Sequence, residues 1–121
     1  MIALYITIGG AIGSLLRYLL ISIAGRTLGT SFPYGTLIVN VLGSFAIGLI
    51  IGYFSKTLPH SIEMRSFLTT GILGGFTTFS TFSLDTITLF EHGQITVAIV
   101  YILASVVISI LAVFLGLWVL R

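Results

Sequence analysis

Positions 71–83, within the third hydrophobic stretch of the chain, read GILGGFTTFSTFS. Glycine costs about 1 kcal/mol relative to alanine in a helix interior, and serine and threonine hydroxyls compete for backbone hydrogen bonds. Three glycines followed by five hydroxyl residues therefore predict an interrupted helix, with the break near Gly75 to Thr78. Non-helical backbone is tolerated inside a membrane only where protein or a water-lined cavity satisfies its N–H and C=O groups.

The rest of the chain is so apolar that lipid must be its solvent. Of the 121 residues, 57% are hydrophobic and 7% are charged, and the mean hydropathy is +1.23. Ordinary soluble domains carry about 25% charged residues. Four stretches approach the roughly 20 apolar residues that a membrane-spanning helix needs, namely 2–23, 34–54, 67–90 and 95–120. We predict a single all-α integral membrane domain, residues 1–121, of four transmembrane helices with the third broken near mid-membrane.

The connections and the glycine pairs agree with this layout. Both prolines, Pro33 and Pro59, fall in the short polar connections 25–33 and 55–61, and the last connection covers 91–94. Two small-residue pairs four positions apart predict close packing of the first and second helices against neighbours, Gly9 with Gly13 and Gly48 with Gly52.

The ionisable residues exclude several classes of function. A formal net charge of +2 from five basic and three acidic residues is too scattered for nucleic-acid binding. The chain has no cysteine, and His60 and His92 lie in predicted connections, so no catalytic constellation can be assembled and no enzyme is expected. Charge asymmetry between the two membrane sides is small, which permits insertion in both orientations; one side holds Lys56, Arg65 and Arg121, the other Arg26 with Arg17 nearby.

The predicted break is a candidate ion site. Carbonyls of Gly74 and Thr77 could coordinate a cation, and the neighbouring hydroxyls could donate to an anion. Phe79 and Phe82 are three positions apart and share a face if a helix resumes at Thr78. Their positive ring edges can contact an anion without a basic charge. A glycine-rich packing site with satisfied hydroxyls remains the alternative.

Other polar residues in the apolar stretches have two possible roles. Asn40 either bonds two helices together or lines an aqueous path. Tyr101, Ser105 and Ser109 recur every four residues and share one helix face, although serines bonded to their own helix carbonyls give the same pattern. Arg17 and Asp85 are expected near one membrane side, where they could interact or Arg17 could attract anions into a vestibule; snorkelling of Arg17 is equally open.

Three motifs together resemble the Fluc family of fluoride channels over essentially the whole chain. The first motif is the glycine-rich start of the chain with Arg17, and the second runs from Gly35 through Asn40 to Gly43. The third, GGFTTFSTF at 74–82, is the most specific of the three. The resemblance implies an antiparallel, dual-topology homodimer with two pores that exports fluoride passively across the bacterial cytoplasmic (inner) membrane.

The resemblance also implies roles for particular residues. The fluoride pore would be lined by two aromatic rings and a set of polar groups, Phe79, Phe82, Asn40, Ser80, Thr81, Tyr101, Ser105 and Ser109. A structural Na⁺ at the dimer centre would be bound by the backbone carbonyls of Gly74 and Thr77. The remaining alternatives are a small drug-exporting antiporter, for which Asp85 is the available carboxylate, and a non-transporting scaffold subunit.

Overall fold

The computed structural model describes residues 1–56 and 61–120, and this part of the chain is helical apart from short connections. Its long helices are α1 (Ile2–Leu28), α2 (Tyr34–Lys56) and α6 (Ile95–Leu120), each long and apolar enough to cross a membrane. The first, second and fourth predicted stretches are therefore confirmed as apolar helices of spanning length. Pro59 and His60 of the predicted second connection lie outside the described residues, as does Arg121.

The first helix is longer than the sequence pattern predicts. The predicted span ends at position 23, whereas α1 continues to Leu28. The Thr27 hydroxyl donates to the carbonyl of Ile23 at 2.9 Å, and Arg26 lies in the last turn, where a positive charge complements the helix dipole. Gly29, with φ of 84°, then ends the helix. The prediction was wrong here because polar residues are compatible with a helix that extends beyond its apolar part.

The third hydrophobic stretch and the residues just before it fold as several short pieces. This segment comprises α3 (Ile62–Ser66), a π-helix (Phe67–Leu73), α4 (Gly74–Phe76) and α5 (Phe79–Glu91). Between α4 and α5, Thr77 and Thr78 have extended backbone with ψ of 158° and 122°. The longest α-helix of the segment, α5, has 13 residues, which is shorter than the roughly 20 that cross a bilayer.

Glycines set the distance between neighbouring helices. A Cβ atom on Gly75 would lie 2.6 Å from the carbonyl oxygen of Gly10, so α4 touches the backbone of α1. In the same way a Cβ on Gly9 would lie 2.7 Å from the carbonyl of Phe67, and one on Gly48 would lie 3.0 Å from the amide of Leu117 on α6. The predicted packing roles of Gly9 and Gly48 are confirmed, because no larger residue allows such approach.

The buried core lies where α5 meets α6. Phe82, Leu89, Ala98 and Tyr101 form its centre, and Tyr101 is completely buried. Most other long apolar side chains point outward, including Trp118 at 77% exposure. An apolar surface of this extent requires lipid or another protein chain around it.

Candidate functional site

The two extended residues between α4 and α5 obtain their hydrogen bonds from different helices. Thr77 still bonds like a helical residue, because its N–H donates to the carbonyl of Leu73 at 3.0 Å. The Thr78 N–H instead donates to Oδ1 of Asn40 on α2 at 2.8 Å, and Nδ2 of Asn40 donates back to the Thr78 carbonyl at 3.0 Å. In a continuous helix the Thr78 N–H would bond to the carbonyl of Gly74. That carbonyl therefore lacks its usual helical donor.

Thr78 also starts the next helix. Its hydroxyl accepts from the Thr81 N–H at 3.1 Å and so caps α5. The same hydroxyl lies 3.2 Å from Oγ1 of Thr81 and 3.3 Å from Oγ of Ser80. Ser80 and Thr81 thus surround the cap in the first turn of α5. Sequence reasoning placed Thr78 at the end of the predicted break but gave it no capping role, although a threonine just before a renewed helix is a recognisable cap signal.

The two phenylalanines lie side by side on the first turn of α5. Their ring centroids are 5.4 Å apart at an angle of 50°, a tilted arrangement that presents ring edges. Phe82 is buried and packs against Tyr101, with centroids 5.3 Å apart. Phe79 is 77% exposed. The Phe82 ring therefore belongs to the core of the chain, and the Phe79 ring lies on its surface.

A cavity of about 430 Å³ lies beside Thr77 and Thr78, between α2, α4, α5 and α6. It brings together seven of the predicted ion-site residues, which line its wall: Asn40, Gly74, Thr77, Phe79, Phe82, Ser105 and Ser109. Ser80, Thr81, Tyr101 and Arg17 are not among the described residues that line it. Ser44, one turn after Asn40, also lines the cavity and was missed, although spacing four positions from Asn40 was a usable signal.

Two hydroxyls at this cavity are buried without a hydrogen-bond partner in the described part of the chain, those of Ser105 and Ser109. Several other hydroxyls bond to a carbonyl of their own helix; that of Thr86, for example, donates to the carbonyl of Phe82 at 2.9 Å. The alternative that the two serines bond to their own helix carbonyls is therefore wrong. An unpaired buried hydroxyl costs about 1–3 kcal/mol, so a hydrogen-bond partner for either serine would stabilise the structure.

Asp85 on α5 has a partner that the sequence did not suggest. Tyr101 donates to Oδ2 of Asp85 at 3.0 Å, and its ring meets Phe32 edge-on at 5.5 Å. Within the described chain Asp85 forms no ion pair with Arg17, which is half-exposed on α1. The hypothesis that these two residues pair within one chain is therefore wrong. The pairing of Asp85 with Tyr101 joins different helices, and sequence spacing carries no signal for it.

Comparison with known proteins assigns the chain to a family. The family described as CrcB-like protein, Camphor Resistance (CrcB), matches residues 4–117. The chain belongs to the CrcB-like family. Among relatives of this CrcB-like chain, the "Fluoride-specific ion channel FluC" of Agrobacterium fabrum is 58% identical over 109 residues, covering 90% of this chain and 87% of that protein.

Two further relatives carry the same name. The protein from a Chelativorans species is 53% identical over 116 residues, covering 96% of this chain and 93% of its own length. The protein from Rhizobium etli is 51% identical over 119 residues, covering 98% and 95% respectively. The resemblance inferred from the sequence motifs is confirmed. Together with the three apolar helices, these relatives make the CrcB-like chain a multi-pass membrane protein.

Proposed function

We propose that this chain is a subunit of a fluoride-selective channel that exports fluoride passively across the bacterial cytoplasmic membrane. The relatives named as fluoride-specific channels support the ion, and the cavity beside the break supports the route. The observation that carries the route is the pair of buried hydroxyls of Ser105 and Ser109, two cavity-wall residues whose hydroxyls have no partner in the described part of the chain. The chain has a conducting role rather than an enzymatic one.

The chemistry of the cavity wall suits a small, strongly hydrated anion. A selective path must replace the ion's water with donors that are numerous but individually weak, because a strong ligand would hold the ion in place. The serine hydroxyls, the Asn40 amide and the phenylalanine edges are donors of this kind. The first turn of α5 adds the positive end of a helix dipole at the same cavity. No lysine or arginine lines the described wall.

Ser80, Thr81 and Tyr101 would support this path from positions next to the cavity wall. Ser80 and Thr81 stand around the Thr78 cap, where small rearrangements of α5 would turn their hydroxyls towards an ion. Tyr101 packs on Phe82 and fixes the plane of that ring. Arg17 would act at a vestibule, through long-range attraction of anions.

An antiparallel homodimer with two pores would complete the site. Phe79 is exposed at the cavity although it stands beside hydroxyl residues, and lipid tails offer those hydroxyls no hydrogen bonds. A second copy in the opposite orientation would cover this face, and the weak charge asymmetry of the chain permits that insertion. In this arrangement the segment 62–91 would be the third membrane crossing, interrupted at Thr77 and Thr78 near mid-membrane.

The backbone at the break also fits a structural Na⁺ at the dimer centre. Carbonyl oxygens are suitable ligands for a hard cation, and unwound backbone supplies them in membrane proteins. The carbonyl of Gly74 lacks its helical donor because the Thr78 N–H bonds to Asn40. Gly74 and Thr77 of one chain supply two oxygens, so a complete coordination shell would need the second copy.

The experiment that tests the proposal is fluoride efflux from liposomes that contain the purified protein. Efflux driven only by the fluoride gradient, with a potassium ionophore for charge balance, is expected to be rapid, and chloride efflux is expected to match that of empty liposomes. Absence of fluoride efflux from correctly assembled protein would reject the channel. Proton-coupled export of a lipophilic cation in its place would favour the antiporter, and no transport of either ion would favour the scaffold.

A further inference from the structure

We propose that Asn40 is a positioning residue, which fixes the break between α4 and α5 by pairing with both backbone groups of Thr78. The sequence left two roles open for Asn40, a helix-bonding role and a pore-lining role. The inference rests on the proposed function for its effect on ion flux, but the backbone role itself can be measured independently of any flux.

The first step of the argument is the geometry of the pair. Oδ1 of Asn40 accepts from the Thr78 N–H at 2.8 Å, and Nδ2 donates to the Thr78 carbonyl at 3.0 Å. Thr78 has φ of −151° and ψ of 122°, which is strand-like backbone, and the described residues contain no strand to pair with it. The side-chain amide therefore takes the place of a paired peptide group. Without it, both backbone groups of a buried residue would be left unsatisfied.

A second observation on α2 points the same way. Gly43 lies three positions after Asn40, and a Cβ atom there would collide with Cγ2 of Thr77. Gly43 thus gives the Thr77 side chain room against α2, while Asn40 binds the backbone of Thr78. One face of α2 therefore holds both non-helical residues, each by a different means.

The pairing has a direct consequence for the aromatic rings. Thr78 caps α5, and Phe79 is the first residue of that helix. Fixing the Thr78 peptide thus fixes where α5 begins and how the Phe79 ring is directed at the cavity. The Asn40 amide has two N–H bonds, and one is already committed to Thr78. The other is the single donor that Asn40 retains for an anion.

The test combines hydrogen exchange with flux, on protein reconstituted in liposomes. Asn40→Ala is expected to raise the exchange rate of the peptide covering 76–82 by about tenfold or more, because both Thr78 groups lose their partner. Asn40→Asp keeps an acceptor but loses the donor, and is expected to give a smaller increase. Asn40→Gln keeps both groups on a longer arm and is expected to lie nearest to the native rate. Flux should fall in the same order.

Two comparison variants make the result specific. Ser105→Ala removes a cavity hydroxyl that touches neither Thr77 nor Thr78 in any described hydrogen bond, so flux should fall while exchange at 76–82 stays native. Gly43→Ala should raise exchange in that peptide with Asn40 intact, since its methyl group displaces Thr77. Asn40→Asp matches the shape of asparagine and keeps the experiment decisive if the alanine variant does not fold.

The outcomes separate the two proposals. Native exchange in Asn40→Ala and Asn40→Asp, with reduced flux, would overturn the positioning role and leave Asn40 as an anion donor only. Faster exchange with reduced flux supports it. If the native protein conducts no fluoride, the proposed function fails, and the exchange rates still decide whether Asn40 holds Thr78.

Discussion

The two halves of the third segment, residues 62–76 and 79–91, differ in how much of their surface the chain itself covers. In the first half, Gly71 and Gly75 lie directly on the backbone of α1. In the second half, Phe79 and Leu84 are 77% and 65% exposed. The first half is fixed by backbone contact within one chain, whereas the second presents a face that something else must cover. The cavity lies where the two halves meet.

The largest expected effect is on the second half. Phe79→Ile and Phe82→Ile should each reduce fluoride efflux by about 100-fold or more, since each 1.36 kcal/mol added to a barrier is tenfold in rate. An aliphatic side chain has no positive ring edge to offer an anion. The two variants should differ in stability, because Phe82 packs on Tyr101 and Phe79 is mostly exposed.

The control for these rings is Phe90→Ile, at an exposed position near the other end of α5. Efflux from liposomes and the apparent mass of the assembled protein are the measurements. Native efflux in both Phe79→Ile and Phe82→Ile would show that the ring edges do not contact the ion. It would also remove the functional role proposed for the second half of the segment.

The first half is tested by a matched pair of glycines on facing helices. Gly75→Ala would place a methyl 2.6 Å from the carbonyl of Gly10, and overpacking of this kind costs about 1–3 kcal/mol. Gly10→Ala points into open space and should be neutral or stabilise α1 by up to about 1 kcal/mol. Reversible unfolding in mixed detergent micelles gives both values. Equal changes in the free energy of unfolding for the two variants would mean that backbone contact with α1 does not fix residues 62–76.

Removal of the unpaired serine hydroxyls is expected to affect stability and fluoride efflux in opposite directions. Ser105→Ala and Ser109→Ala remove buried groups that have no partner in the described chain, so stability should be unchanged or slightly higher. Fluoride efflux should fall by about tenfold in each, the equivalent of one moderate hydrogen bond. Thr88→Ala, whose hydroxyl bonds to the Leu84 carbonyl, is the control. Unchanged efflux in both serine variants would place the ion path elsewhere.

The smallest expected effect concerns the half-exposed Arg17 on α1. Arg17→Ala should lower efflux by about two- to threefold at 0.01 M ionic strength and have almost no effect near 1 M, because salt screens long-range attraction. Arg26→Ala, in the last turn of the same helix, is the comparison variant. A loss that persists at high salt would indicate a direct contact in place of attraction at a distance.

Particular residues show which parts of the site the sequence could predict. Polar or aromatic character inside apolar stretches indicates five residues that the structure brings to one cavity, namely Asn40, Phe79, Phe82, Ser105 and Ser109. The hydrogen bonds of Asp85 with Tyr101 and of Asn40 with Thr78 join different helices. Periodicity describes one helix at a time, so it predicts which residues share a face but not which faces meet.

The sequence alone determined that lipid is the solvent of this protein and which polar groups its candidate ion site contains. Long apolar stretches and hydroxyls clustered after glycines are local properties of the chain. Tertiary structure decided which groups remain free. Thr86 and Ser105 carry similar hydroxyls, yet one is satisfied by its own helix and the other is buried at a cavity without a partner in the described residues. That difference depends on how the helices pack, since packing alone determines which polar atoms lose both water and a protein partner.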